Sequence, residues 1–110
     1  MSTSEPVIIS ASISVKPGEE DRAIEAFSKA IETTHAQDDG CLLYALHRDN
    51  DDPSKLLFIE KWASRAQLDA HLASPHVAEL GKTLGEVLAG APTMVMATAI
   101  PAGDAEKGVL

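Results

Sequence analysis

The sequence predicts a ferredoxin-like α+β domain of order βαββαβ, an antiparallel sheet with its helices on one face. Three observations carry this prediction. Apolar residues alternate with polar ones from Val7 to Val15, an apolar stripe of helical period follows the break Lys16-Pro-Gly, and two apolar runs flank a polar turn ahead of a second helical region and a last apolar run.

The first element, VIISASISV, puts Val7, Ile9, Ala11, Ile13 and Val15 on one side and mostly serines on the other, the period of a strand. After Pro17-Gly18, the acidic Glu19, Glu20 and Asp21 suit the positive end of a helix dipole. Ile24, Phe27 and Ile31 then recur at helical spacing, giving a helix over about residues 18 to 37. Asp38-Asp-Gly40 ends it. CLLYALHRD and KLLFIEKW are the next two strands, joined as a hairpin by Asn50-Asp-Asp-Pro53. Ser64 with Gln67 three residues later is a capping box, and Ser74-Pro75 repeats the start signal, so the second helical region is two helices or one broken helix. Val77, Leu80, Leu84, Val87 and Leu88 supply its apolar stripe. Gly81 and Gly85 weaken this helix, either to let it breathe over a pocket or to let it pack closely on the sheet. Gly90-Ala-Pro ends the helix, and residues 93–100 form the last strand. The chain is thus one domain over residues 1–100 with a tail at 101–110, mobile unless a partner holds Val109 and Leu110.

Strands two and three are apolar in both parities, with Leu42, Tyr44 and Leu46 against Cys41, Leu43 and Ala45. One helix layer covers one sheet face, so the other face predicts a homodimer. Apolar residues make up 45% of the 110, enough for a globular core, while aromatics are only 4%, so aliphatic side chains must fill it. A formal net charge of −8 argues against nucleic acid and anionic membrane, which need basic patches. The polar opening Met1-Ser-Thr-Ser-Glu-Pro lacks the basic and apolar regions of a signal peptide, and no run is long enough to span a bilayer, which points to a soluble, cytoplasmic protein. The lone Cys41 cannot form an intrachain disulfide and reads as a buried core residue.

The element order and the string Tyr44, Glu60-Lys-Trp62, Ala66, Leu68, His71, Ser74-Pro-His76 resemble the antibiotic biosynthesis monooxygenase superfamily, including its quinol monooxygenase branch. The resemblance covers about residues 6 to 100 and is densest in E-x-W, L-x-x-H and S-P-H. It implies a dimeric α/β barrel-type assembly, a pocket between sheet and helices, and oxidation of quinols or other hydroxylated aromatics by O2 with no cofactor. Other members of that superfamily degrade haem or isomerise small metabolites, and a dimer that only binds a planar ligand is a further alternative. The haem degraders carry a pocket asparagine in the first strand, where this chain has VIISASISV.

His71 follows Leu68 by three residues and so lies on the inner side of its helix, where a neutral imidazole can take a proton. The resemblance places the family's pocket histidine there. Trp62 and Glu60 share a strand face, Trp62 as a stacking wall, and Tyr44 joins them as hydrogen-bond donor if it pairs opposite Glu60. His71, Trp62 and Tyr44 are therefore the catalytic candidates, and Glu60, His47 and Phe58 the substrate-binding ones. Each has a structural alternative: a core-edge histidine, a core tryptophan, a glutamate at a strand's wet end. His47 and His35 also read as satisfied structural groups, and His76 as exposed in the first turns of its helix. No two histidines have the i, i+4 spacing of a zinc helix, and Asp49, Asp51 and Asp52 read as turn chemistry, so no metal site is expected.

Overall fold

The computed structural model describes residues 5–110; Met1 to Ser4, most of the polar opening, lie outside the described residues. Strand β1 (Val7–Ser14) leads to helix α1 (Glu20–Gln37), the hairpin β2 (Cys41–Arg48) and β3 (Lys55–Trp62), helices α2 (Arg65–Leu72) and α3 (Pro75–Val87), and strand β4 (Thr93–Ala97). The sheet is antiparallel in the order β2-β3-β1-β4, the ferredoxin-like arrangement expected. The second helical region is two helices, and the last strand stops at Ala97 rather than residue 100.

Alternation decides the two sheet faces. Ile9, Ala11 and Ile13 pair with Glu60, Phe58 and Leu56, and all six are buried under the helices with Phe27, Leu68 and Val87. Each large apolar side chain so buried contributes about 1.5–3 kcal/mol. The opposite parity, Ile8, Ser10, Leu43, Ala45, Leu57, Ile59 and Val95, lies on the uncovered face. Every residue of β4 is exposed.

The hairpin turn is held as its sequence predicts: the Asp49 carboxylate accepts from the Asp51 and Asp52 amides at 2.7 and 3.2 Å, and Asp52 accepts from the Ser54 amide and hydroxyl. Gly40 is needed where it stands, because its φ is +81° and a Cβ there would sit 2.2 Å from the Gln67 side chain. At Gly81 and Gly85 a Cβ would meet nothing within 4 Å, so close packing on the sheet is not their role. Cys41 is half-buried against the core rather than inside it. In the tail, the Asp104 carboxylate accepts from the Glu106 and Lys107 amides, and Lys61 Nζ donates to the Leu110 carbonyl. No helix among the described residues is long and apolar enough to cross a membrane.

Candidate functional site

Three helix ends meet at His71. Ser64, extended at φ −154°, ψ 160°, caps α2 by accepting from the Gln67 amide at 3.2 Å, and the short helix so started turns Leu68 and His71 inward. Ser74 caps α3 by accepting from the Val77 amide, while its own hydroxyl donates to the His71 carbonyl at 2.6 Å. The chain breaks between the helices, so His76, five residues past His71, comes alongside it with ring centroids 5.9 Å apart. On one continuous helix five residues would turn through about 500°, putting the two rings on different sides. Asp38, the C-cap of α1, completes the group. Its Oδ2 lies 2.6 Å from His71 Nδ1 and 2.8 Å from His76 Nε2.

Electrostatics assigns the protons. Burial works to raise the Asp38 carboxyl, but the hydrogen bonds and charge interactions with His71 and His76 together outweigh it and hold it below the usual carboxylate range. Asp38 is therefore an ionised acceptor at neutral pH, and both imidazoles must donate to it. Burial lowers the His71 pKa, a shift that Asp38 only partly offsets, so the ring is neutral. With its proton on Nδ1, His71 keeps an unprotonated Nε2.

His71 also borders a cavity of about 170 Å³ between the sheet and α1, α2 and α3. Tyr44, Phe58 and Glu60 line it from the sheet, Leu80 and Leu84 from α3, and the half-exposed Met94 from β4. Tyr44 pairs opposite Glu60, which sends its side chain to the covered face. Burial, and then the Glu60 charge, push the Tyr44 phenol well above its ordinary pKa, so it stays a proton-bearing donor. Burial also raises the Glu60 carboxyl, against the hydrogen bond that Trp62 Nε1–H donates to Glu60 Oε1 at 2.9 Å.

The structure thus brings His71, Tyr44, Glu60 and Phe58 to one cavity and places Trp62, His47 and His76 away from its lining. Trp62, expected as a stacking wall, is fully buried and does not border the cavity; its ring packs against His71 with centroids 4.4 Å apart, and its indole N–H is bonded to Glu60. His47, an odd three residues beyond Tyr44, lies on the uncovered face, where its Nδ1–H donates to the Leu57 carbonyl, so it is not at this cavity. His76 is held by Asp38, its side chain only 13% exposed. His35 is structural as expected, its Nε2–H donating to the Tyr44 carbonyl at 3.0 Å. Asp38 escaped the sequence reading because a helix-stopping Asp-Asp-Gly gives no sign of a partner 33 residues away. The donor atoms of Asp38, His71 and His76 lie within 4.8 Å of one another, close enough to share a cation.

A family model described as antibiotic biosynthesis monooxygenase matches residues 6–82. The uncharacterized protein sll1783 of Synechocystis sp. is 29% identical over 85 residues, 77% of this chain and 57% of that protein. Rv0793 of Mycobacterium tuberculosis is 35% identical over 66 residues, 60% of this chain and 64% of that protein. The chain spans less than two thirds of the length of these curated relatives. Among solved structures, a crystal structure of an antibiotic biosynthesis monooxygenase is 32% identical with a TM-score of 0.80, covering 86% of this chain and 99% of that one. The structure of Rv0793 has a TM-score of 0.82 at 26% identity and covers 91% and 100%.

Proposed function

The chain belongs to the antibiotic biosynthesis monooxygenase family, and from that premise we propose that it oxidises a small hydroxylated aromatic, of the quinol class, with O2 and no bound cofactor. The observation that carries this reading is the Asp38–His71 pair beside the cavity: a neutral imidazole whose Nδ1–H is committed to a carboxylate, leaving Nε2 as the base. Substrate size follows from the cavity. Its volume of about 170 Å³ is well below the roughly 300 Å³ at which sites for drug-sized ligands begin, which favours one small ring system and disfavours haem.

In this mechanism His71 Nε2 takes the phenolic proton. The electron-rich anion passes one electron to O2, and the two radicals join through a new C–O bond. The resulting peroxide loses its outer oxygen as water, so a quinol and O2 become a hydroxyquinone and H2O. The Tyr44 hydroxyl donates to the substrate oxygen, and Glu60, more readily protonated than an exposed glutamate, supplies a proton to the departing oxygen. The protein's contribution is position, a dry site and a base. A homodimer through the uncovered sheet face is part of the same proposal.

Oxygen uptake by the metal-stripped protein against a panel of one-ring and two-ring quinols is the test. Turnover above autoxidation should fall about 10²-fold in His71→Ala, the usual worth of general-base catalysis. Equal uptake in the variant removes His71 from the chemistry. No uptake, with quinols still raising the melting temperature, identifies a binding module.

A further inference from the structure

We propose that Asp38, His71 and His76 form a site for a divalent first-row transition cation such as Zn2+ or Ni2+, which caps the His71 base when it binds. The three donors come from three separate elements and converge without a continuous zinc helix: the C-cap of α1, the last turn of α2 and the first turn of α3. Each is already held in place. Asp38 sits at a helix terminus, His71 is packed against Trp62 and tied to Ser74, and His76 lies beside the Ser74 cap.

Charge points to a cation. Asp38 is only 14% exposed, and its ion-pair partners among the described residues are His71 and His76, with no lysine or arginine at hand. A cation bound beside this largely buried carboxylate would give it a permanent opposite charge. Two imidazoles and one carboxylate are a donor set for zinc, nickel, copper or iron rather than for magnesium or calcium, which take oxygen ligands. Three protein ligands also leave a position for water. His71 is closed off, with a side chain 2% exposed, but Asp38 and His76 keep 14% and 13% on the outer side. A surface hollow bordered by Asp38, Asp39, Gln67 and His71 leads to the trio.

Bonds near 2.0–2.2 Å put metal-bound donors roughly 3.0–3.5 Å apart, so the trio must open by about half an ångström from its hydrogen-bonded state. Proton bookkeeping is simple. In the cation-free state His71 carries its proton on Nδ1 and His76 on Nε2, and the metal needs both of those lone pairs. The neutral His71 ring shifts its proton to Nε2, and His76 frees Nε2 by holding a proton on Nδ1 alone. His71 Nε2 then carries a hydrogen and can no longer act as the base. Only this last consequence rests on the function proposed above; binding itself does not.

The test is calorimetric titration of zinc chloride into the untagged, metal-stripped wild type, with His76→Gln and Asp38→Asn beside it. One saturable site per chain is expected, weakened at least about 100-fold in each variant, since losing even an outer-shell partner of a metal ligand costs about 10- to 100-fold. Long-range 1H–15N spectra of the wild type should show the His71 proton on Nδ1 without zinc and on Nε2 with it, a readout independent of how the variants fold or whether oxygen is consumed. Absence of saturable binding, equal affinity in both variants, or a His71 proton that stays on Nδ1 overturns the proposal. Zinc binding without oxygen uptake leaves the site standing and removes the oxygenase.

Discussion

Glu60 shows how one residue serves both the site and the fold. It is 8% exposed on a covered strand face, and burial raises its pKa from the ordinary 4.5 while the Trp62 indole partly offsets the shift. The folded protein therefore binds the Glu60 proton more tightly than the unfolded chain does. The stabilising contribution is full below the unfolded pKa and is lost as pH rises through the folded one. Glu60→Gln removes that titration and keeps an oxygen to accept from Trp62. The variant's melting temperature relative to wild type should therefore climb between about pH 4 and pH 7; a constant difference across that range would show that Glu60 titrates as it does in the unfolded chain. Trp62 illustrates the opposite lesson. Its spacing to Glu60 read correctly as a shared face, but a shared face holds both cavity walls and what lies behind them, and the largest side chain went behind.

At the level of elements, the break between α2 and α3 makes the site. Ser64 and Ser74 are both N-caps, and removing either hydroxyl should cost about 1 kcal/mol by the usual worth of a cap. Ser74 has a second task, since its hydroxyl donates to the His71 carbonyl at 2.6 Å and so ties one helix to the next. The Ser64 hydroxyl donates only to Gln67 of its own helix, so Ser74→Ala should destabilise more than Ser64→Ala in urea unfolding, and equal costs would mean that joining two helices adds nothing beyond a bond within one. Both caps were legible as Ser-x-x-Gln and Ser-Pro. The placing of His76 against His71 was not, because the five-residue spacing acquires meaning only through the angle between two short helices.

Across the whole molecule the asymmetry of the sheet stands out. Helices cover one face, while the other carries Leu57 at 37% and Val95 at 54% exposure among small serines, and β4 ends the sheet with an open edge. An uncovered apolar face and an unprotected edge are what a second copy would bury. Light scattering at micromolar concentration should give a dimer for the wild type and a monomer for Val95→Lys, whose charge would lie in the proposed interface. A wild-type monomer would refute the dimer.

Element order, both helix starts, the hairpin turn and the inward-facing residues were readable from the chain because they rest on local periods and on residues acting within three or four positions of themselves. Strand parity put Glu60 and Trp62 on one face, but the same parity applied to Tyr44 and His47 would have kept His47 from the substrate-binding group, a step the sequence reading did not take. The hairpin register, with Tyr44 facing Glu60, was a choice between two faces that no local signal could make; packing of the whole sheet made it. The joining of Asp38 to His71 and His76 across 33 and 38 residues was likewise decided by tertiary structure, because a hydrogen bond between distant side chains leaves no period in the sequence and exists only where three helix ends converge.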